Sequence, residues 1–277
     1  MNGATLDHLL QRMPPSRFVV VARDPAKAQR FADLGVTVRR GDYADPSSLA
    51  AAFDGADQLL LISSSDPAGN TAELHRNAVD AAVRAGVGRI LYTSHQGAAL
   101  GSPFGPGHDH AVTEGMLAES GLPWTSLRNG FYAPSLAWLA GPWRDTGVIA
   151  VPGDGPVSWT ARADAAEAAA VILASDGGFD GPVTLTASAA PTFDEVAEIA
   201  SELSGRDVTR VLMGDDEWVA AQVAGGQPER MARFMLGMYQ AAAEGLFAGT
   251  DPLLGSLLER EPQSVRDALE APLSAAR

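Results

Sequence analysis

Residues 17–42, RFVVVARDPAKAQRFADLGVTVRRGD, decide how the rest of the chain is read. Phe18–Ala22 is a continuous apolar run rich in β-branched residues. It predicts a strand buried on both faces, as in a parallel sheet. Pro25 suits the first turn of a helix, and Ala26–Leu34 carries that helix to Gly35 as a C-terminal cap. Val36–Arg39 predicts a second strand that ends at Gly41-Asp42. Strand, helix and strand make one right-handed βαβ unit. Arg23 then falls at the carboxyl end of a buried strand, the edge where open α/β sheets bind ligands.

The same alternation continues on both sides. Gly3–Met13 predicts a helix with Leu6, Leu9, Leu10 and Met13 on one face. After the βαβ unit come a helix at Pro46–Phe53, a strand at Asp57–Ser65, a helix at Thr71–Ala85 and a strand at Arg89–His95. Gln96–Gly107 is rich in Gly and Pro and predicts a loop. His110–Ser120 predicts a helix and Trp124–Leu127 a strand that runs into Arg128–Tyr132. Strands alternating with helices predict an α/β fold built on a doubly wound parallel sheet of Rossmann type.

Beyond Pro134 the segments shorten. Strands are expected at Val148–Val151, Val157–Trp159, Val183–Ala187 and Val208–Met213. Helices are expected at Ala163–Ala174, Phe193–Ser204, Glu217–Val223, Pro228–Ala243 and near Ser264–Leu269, with a loop at Gly249–Gly255. Thr192 and Glu195 stand at the spacing of a capping box for the second of these helices. The pattern divides the chain into a doubly wound region, 1–133, and a smaller α+β cap, 134–277.

Composition excludes several functions. The net charge of −14 and pI near 4.7 leave no basic face for nucleic acid. With no cysteine there is no disulfide, thiol nucleophile or thiolate metal site. No apolar run approaches the roughly 20 residues of a membrane span. Met1–Ala4 lacks the basic and apolar segments of a signal peptide, so a cytoplasmic protein is expected.

Several stretches taken together carry a resemblance. VVVARDPAKA, VRRGDYADPSSLAAAFDGAD, LLLISSS, AAVRAGVGRILYTS, TEGMLAESGLPWTSLRNGFY and SWTARADAAEAAA follow one another in the order and spacing of the NmrA-like family. These are atypical short-chain dehydrogenases/reductases, and the chain is most similar to their NADPH:quinone oxidoreductase branch. The resemblance implies NADPH as cofactor and hydride transfer to a quinone-like or other small apolar acceptor. A homodimer is compatible with it. The family also contains redox sensors that bind a dinucleotide without turnover, which is the alternative.

The front of the chain departs from the family, whose members open with a buried strand and a TGATGxxG turn. No G-x-G-x-x-G occurs here. Asn2-Gly3-Ala4-Thr5 is similar to the tail of that turn, so Gly3 is a cofactor-side candidate. The expectation is a sequence about ten residues short, whose missing strand would lie between the strands at 18–22 and 58–62. Five buried apolar residues at roughly 1.5–3 kcal/mol each rival the ~5–15 kcal/mol stability of a domain. A native mass about a kilodalton higher is therefore expected.

The resemblance also sorts the candidate sites. Arg23, with Lys27 a turn later, implies recognition of the NADP 2′-phosphate, for which the arginine fork is suited. The plain alternative is a salt bridge from Arg23 to Asp24 or Asp45. Asp42 and Tyr43 end the next strand, where adenine would lie, although Asp42 also suits a turn after Gly41. Ser63, Ser64 and Ser65, with Thr93 and Ser94, end two further strands and could bond ribose or phosphate, or merely cap those strands. Asn129, Gly130 and Phe131 would flank the nicotinamide. Gly130 would admit it closely, and Phe131 or Tyr132 would stack on a ring. The alternative is an aromatic pair that closes the core.

A Tyr-x-x-x-Lys pair is excluded by counting. Tyr43, Tyr92, Tyr132 and Tyr239 are followed four residues on by Ser47, Gln96, Leu136 and Ala243, and Lys27 is the sole lysine. Gly115 stands where reductase relatives carry a lysine. Quinone reduction asks less, because hydride addition gives a stabilised phenolate that water or one donor protonates. His95, Gln96 and Tyr132 are the candidate donors, with His95 and Tyr132 put forward as catalytic. The loop 96–107 and the aromatic stretch 131–143, with Trp138 and Trp143, favour an apolar pocket. His108-Asp109-His110 lacks a third ligand at a recognisable spacing, so no metal is expected. Arg162-Ala163-Asp164 predicts a structural ion pair, and without G-x-S-x-G no hydrolase elbow is present.

Overall fold

In the computed structural model, residues 2–64, 70–175 and 177–270 are described. The elements run α1 (Asn2–Leu10), β1 (Val19–Ala22), α2 (Gln29–Ala32), β2 (Thr37–Arg40), α3 (Pro46–Phe53), β3 (Gln58–Leu61) and α4 (Thr71–Ala85). Then follow β4 (Arg89–His95), α5 (Gly105–Glu119), β5 (Trp124–Asn129), α6 (Leu136–Leu139), α7 (Trp143–Thr146) and β6 (Val148–Val151). The chain continues through α8 (Arg162–Ala174), β7 (Gly181–Leu185), α9 (Phe193–Ser204), β8 (Thr209–Leu212) and α10 (Asp215–Ala224). It closes on α11 (Glu229–Ala243), α12 (Leu253–Leu258) and α13 (Val265–Glu270).

The fold is α/β, with parallel pairings. β1 pairs with β2 from Val19 opposite Thr37 to Ala22 opposite Arg40. β3 and β4 pair in the same sense, Leu60 opposite Leu91, within the order β3-β4-β5-β7. β6 and β8 form a third, two-stranded parallel sheet. One compact unit gathers the chain up to Ser94 with Asp109–Leu127 and Ala169–Val183. The other gathers His95–His108, Arg128–Ala168 and the chain from Thr184 on.

In the first unit, Val21 of β1 packs on a cluster from α3, α4, β3 and β4 that includes Leu49, Phe53, Leu61, Val79 and Ile90. Val20, which points the other way on an extended strand, packs on Leu6, Leu9, Phe31 and Val36. β1 therefore has apolar neighbours on both faces, yet it is only half-buried, and Val19 is 42% exposed. The sequence expectation of full burial fails because, among the described residues, β1 takes a backbone partner on one edge only. α4 buries His75, Ala78, Val79, Ala81 and Ala82 at helical spacing and stops at Gly86 with φ 71°. The second unit closes around Phe131, Trp143, Ile149, Trp159, Phe193, Trp218, Tyr239 and Phe247.

Four local expectations are corrected. The helix foreseen at 26–34 is a 3-10 turn, Pro25–Ala28, followed by the four-residue α2; the Asp24 carboxylate caps the turn by accepting the Ala26 N–H at 3.1 Å. α5 starts at Gly105, inside the expected loop, with Pro106 in its first turn where no N–H is needed. Residues 157–159 form no strand, and only Thr160 bridges to Tyr132. α12 occupies part of the loop expected at 249–255. The capping box at Thr192 and Glu195 is present in full. No helix among the described residues is long and apolar enough to cross a membrane.

Candidate active site

Arg23 and Lys27 follow β1 and are both exposed. Asp24 caps the following turn, and Asp45 lies 3.7 Å from Arg40. The side chain of Asp42 accepts the Ala44 N–H at 3.0 Å, an Asx turn, while its own N–H donates to Ser48 Oγ at 3.0 Å. The Tyr43 hydroxyl donates to the Ile62 carbonyl at 3.3 Å, and burial pushes its pKa up to about 12. Gly3 sits in the first turn of α1, where an added Cβ would lie 2.7 Å from the flexible Arg30 guanidinium.

At the carboxyl end of β3 the Ser63 N–H donates to Thr93 Oγ1 at 2.9 Å. The Ser64 N–H donates to His75 Nε2 at 2.8 Å. Ser65 lies outside the described residues. Ser94 Oγ donates to Glu114 Oε1 at 2.8 Å, and Ser126 Oγ donates to the same oxygen at 2.6 Å. Thr93 and Ser94 are buried: Thr93 Oγ1 accepts from the chain that leaves β3, and Ser94 Oγ donates to Glu114 of α5. Glu114 is a buried acid that periodicity did not single out. Its only sequence signal was its place beside Gly115, and at Gly115 a Cβ would meet no atom within 4 Å.

In the second unit, His95 is half-buried in a box of aromatic rings. The ring centroids of Phe104, Phe131 and Phe247 lie 5.9, 5.3 and 5.2 Å from its own. Burial brings its pKa down to about 4, so it is neutral near pH 7. The Gly97 N–H donates to Nδ1 at 3.2 Å, which assigns the ring proton to Nε2. Phe131 is buried and also packs on Trp159 at 5.5 Å. Phe247, which follows α11 in a region with no strand or motif signal, was missed by the sequence reading.

Tyr132 is half-buried, its hydroxyl 3.5 Å from Asn129 Nδ2, with the Arg162 guanidinium 5.0 Å from its ring centroid. Burial pushes its pKa up to about 12 against the pull of Arg162, so it is a neutral phenol near pH 7. The Asn129 carbonyl accepts the Gln96 N–H at 2.8 Å. Gln96 Oε1 accepts Ser158 Oγ at 2.6 Å and its amide nitrogen donates to the Gly249 carbonyl, so the Gln96 amide is engaged in holding the unit together. Gly130 is needed by the protein itself, because a Cβ there would lie 2.2 Å from Thr160 Oγ1 and 2.6 Å from the Ser158 carbonyl. His110 Nδ1 bonds the Tyr92 hydroxyl at 2.7 Å, and no group of three metal-ligating side chains gathers among the described residues. Asp164 is fully buried and pairs with Arg260 at 2.8 Å, a structural ion pair.

Small hydroxylic residues at the ends of β3 and β4, and an exposed arginine and lysine after the parallel strand β1, are features of a dinucleotide-type α/β fold. Residues 3–176 match the family described as NAD(P)H-binding. The chain belongs to that family and, within it, to the NmrA-like NAD(P)H-dependent oxidoreductases. It is 38% identical over 242 residues to quinone oxidoreductase 2 of Escherichia coli K12, covering 87% of this chain and 84% of that protein. An NmrA-like family domain-containing oxidoreductase of Aspergillus flavus is 30% identical, with 97% and 90% covered. Among solved structures, the Escherichia coli NADPH-dependent quinone oxidoreductase complexed with NADPH matches with a TM-score of 0.89 at 34% identity, over 96% of this chain and 94% of that one. Triphenylmethane reductase from Citrobacter sp., complexed with NADP(H), matches with a TM-score of 0.87 at 32% identity, over 99% and 96%.

Proposed function

We propose that the protein transfers hydride from NADPH to a quinone or another planar, uncharged acceptor. The observation that carries this reading is the aromatic box of Phe104, Phe131 and Phe247 around a neutral His95. Phe247 is fully buried and Phe104 and Phe131 are 7% exposed, so an acceptor beside the half-buried His95 would meet an apolar, aromatic surround that favours a flat, uncharged ring. The relatives named for quinone oxidoreduction support the same choice.

The donor set at the sheet edge suits the cofactor. Arg23 and Lys27 take the 2′-phosphate, the first as a two-pronged donor and the second as a point charge. Asp42 and Tyr43 border the adenine, and Ser63 and Ser64 border ribose or phosphate. Asn129, Gly130 and Phe131 serve the nicotinamide end. The bound dinucleotide supplies the hydride. His95 donates Nε2–H to an acceptor oxygen as a neutral imidazole, which stabilises growing negative charge without giving up a proton. Tyr132, a neutral phenol, is the second donor. The product phenolate takes its proton from water, so no Tyr–Lys pair is required.

The test is NADPH oxidation at 340 nm with a neutral naphthoquinone, alongside calorimetric binding of NADPH. Turnover that falls about tenfold or more in His95→Ala with NADPH affinity kept supports the reading. NADPH binding with no oxidation by any of several quinones would instead identify a redox sensor. No binding would remove the oxidoreductase reading.

A further inference from the structure

We propose that His75 is a positioning residue for the dinucleotide: it fixes the backbone at Ser64, where the chain leaves β3. This rests on the reading above, in which Ser63 and Ser64 border the cofactor. Sheet pairing ends at Leu61, so the next backbone N–H groups need acceptors elsewhere. Ser63 N–H finds Thr93 Oγ1, and Ser64 N–H finds His75 Nε2 at 2.8 Å.

The direction of every proton in this chain is determined. A backbone N–H can only donate, so Nε2 of His75 is the acceptor and the ring proton sits on Nδ1. Nδ1–H donates to Thr113 Oγ1 at 2.8 Å, and that hydroxyl donates to the Asp109 carbonyl at 2.8 Å. Three elements are tied in series: the end of β3, α4 and α5. The ring is fully buried and lies edge-on to Tyr92 of β4 at 5.5 Å. It cannot turn without breaking both bonds.

The surrounding groups leave the ring neutral. Tyr92 faces it from β4 and is itself bonded to His110, and burial raises its pKa. From α5 the Asp109 backbone takes the Thr113 proton, while the Glu114 carboxylate accepts from Ser94 and Ser126. Burial lowers the pKa of His75 to about 4, which keeps Nε2 an acceptor at neutral pH. The mechanism above uses neither His75 nor Thr113. Their linkage acts only through the shape it gives to residues 63–64.

Two amide substitutions separate this role from simple packing. Glutamine reaches the Nε2 position and can accept from Ser64; asparagine reaches only the Nδ1 position. In His75→Asn the KM for NADPH is expected to rise about tenfold while kcat with a neutral naphthoquinone changes less than twofold. In His75→Gln both stay within about twofold of the parent. Amide exchange at Ser64 should be slow in the parent and in His75→Gln and fast in His75→Asn. If His75→Asn does not fold, Thr113→Val, which strands Nδ1–H, is expected to raise the NADPH KM about threefold. Equal NADPH KM in the asparagine and glutamine variants, or parallel losses of kcat and KM in both, would overturn the proposal while leaving the oxidoreductase reading intact. A parent protein that binds no NADPH would overturn both.

Discussion

Arg23 is where the choice between NADP and NAD is argued. It is an exposed guanidinium after a strand whose carboxyl end faces the ligand edge of the sheet, with Lys27 a turn on. A charge-assisted hydrogen bond to phosphate contributes about 1.5–3 kcal/mol, or roughly ten- to hundredfold in affinity. Arg23→Glu should therefore raise the KM for NADPH about tenfold or more and leave that for NADH unchanged or lower. An unchanged ratio of the two KM values would show that Arg23 does not read the 2′ position. The place of Arg23 after a strand was legible because the apolar run fixes where that strand ends. His95 was legible only as a strand-end residue. Its neutral state depends on rings from 104, 131 and 247, and no local signal connects positions so far apart.

At the scale of elements, α5 is the most informative. Its buried side carries Thr113 and Glu114 into the polar contacts below β3, β4 and β5, while Gly115 is exposed with open space around it. Gly115 is thus not required by packing or by backbone conformation, unlike Gly130. Glycine inside a helix costs about 0.5–1 kcal/mol relative to alanine. Gly115→Ala is expected to raise the urea midpoint with no change in the slope m, corresponding to about 0.5–1 kcal/mol. A destabilised variant would show that α5 needs flexibility at that point. α4, β4, β6 and α9 were read from sequence with the bounds they have, because each combines a strong apolar period with a clear stop. α2 was overextended, since Pro25 and the Asp24 cap favour a tight turn first. The start of α5 was missed because Gly105 and Gly107 mask a helix that Pro106 can open.

For the whole molecule, the two neutral histidines set a pH dependence of stability. His75 and His95 have folded values near 4 against an ordinary 6.5. Below 6.5 the unfolded chain takes up protons that the folded chain refuses, so stability falls as pH is lowered. Their contribution is whole above 6.5, declines as pH falls from there to about 4, and is gone below that. For the fully buried His75 the loss by pH 5 is about 2 kcal/mol. Unfolding midpoints at pH 7.5 and 5.0 should differ for the parent chain and differ less for His75→Gln, which has no ring to protonate. An equal drop in both would show that His75 is not a titrating group in that window.

The sequence by itself determined the class of fold, the order of strands and helices up to residue 129, the exclusion of thiol and Tyr–Lys chemistry, and the position of Arg23 at a strand end. These follow from local period, turn chemistry and residue counts, which neighbours in sequence supply. Only the tertiary structure decided which partners the candidate side chains have within the protein. It turned Thr93 and Ser94 inward, set Gly130 close against Thr160 and Ser158, and engaged the Gln96 amide with Ser158 and Gly249. It also brought His75 against Ser64 and surrounded His95 with Phe104, Phe131 and Phe247. The reason is the same in each case. A buried polar atom must find a partner wherever the packed chain provides one, and that partner is set by contacts across the fold rather than by spacing along it.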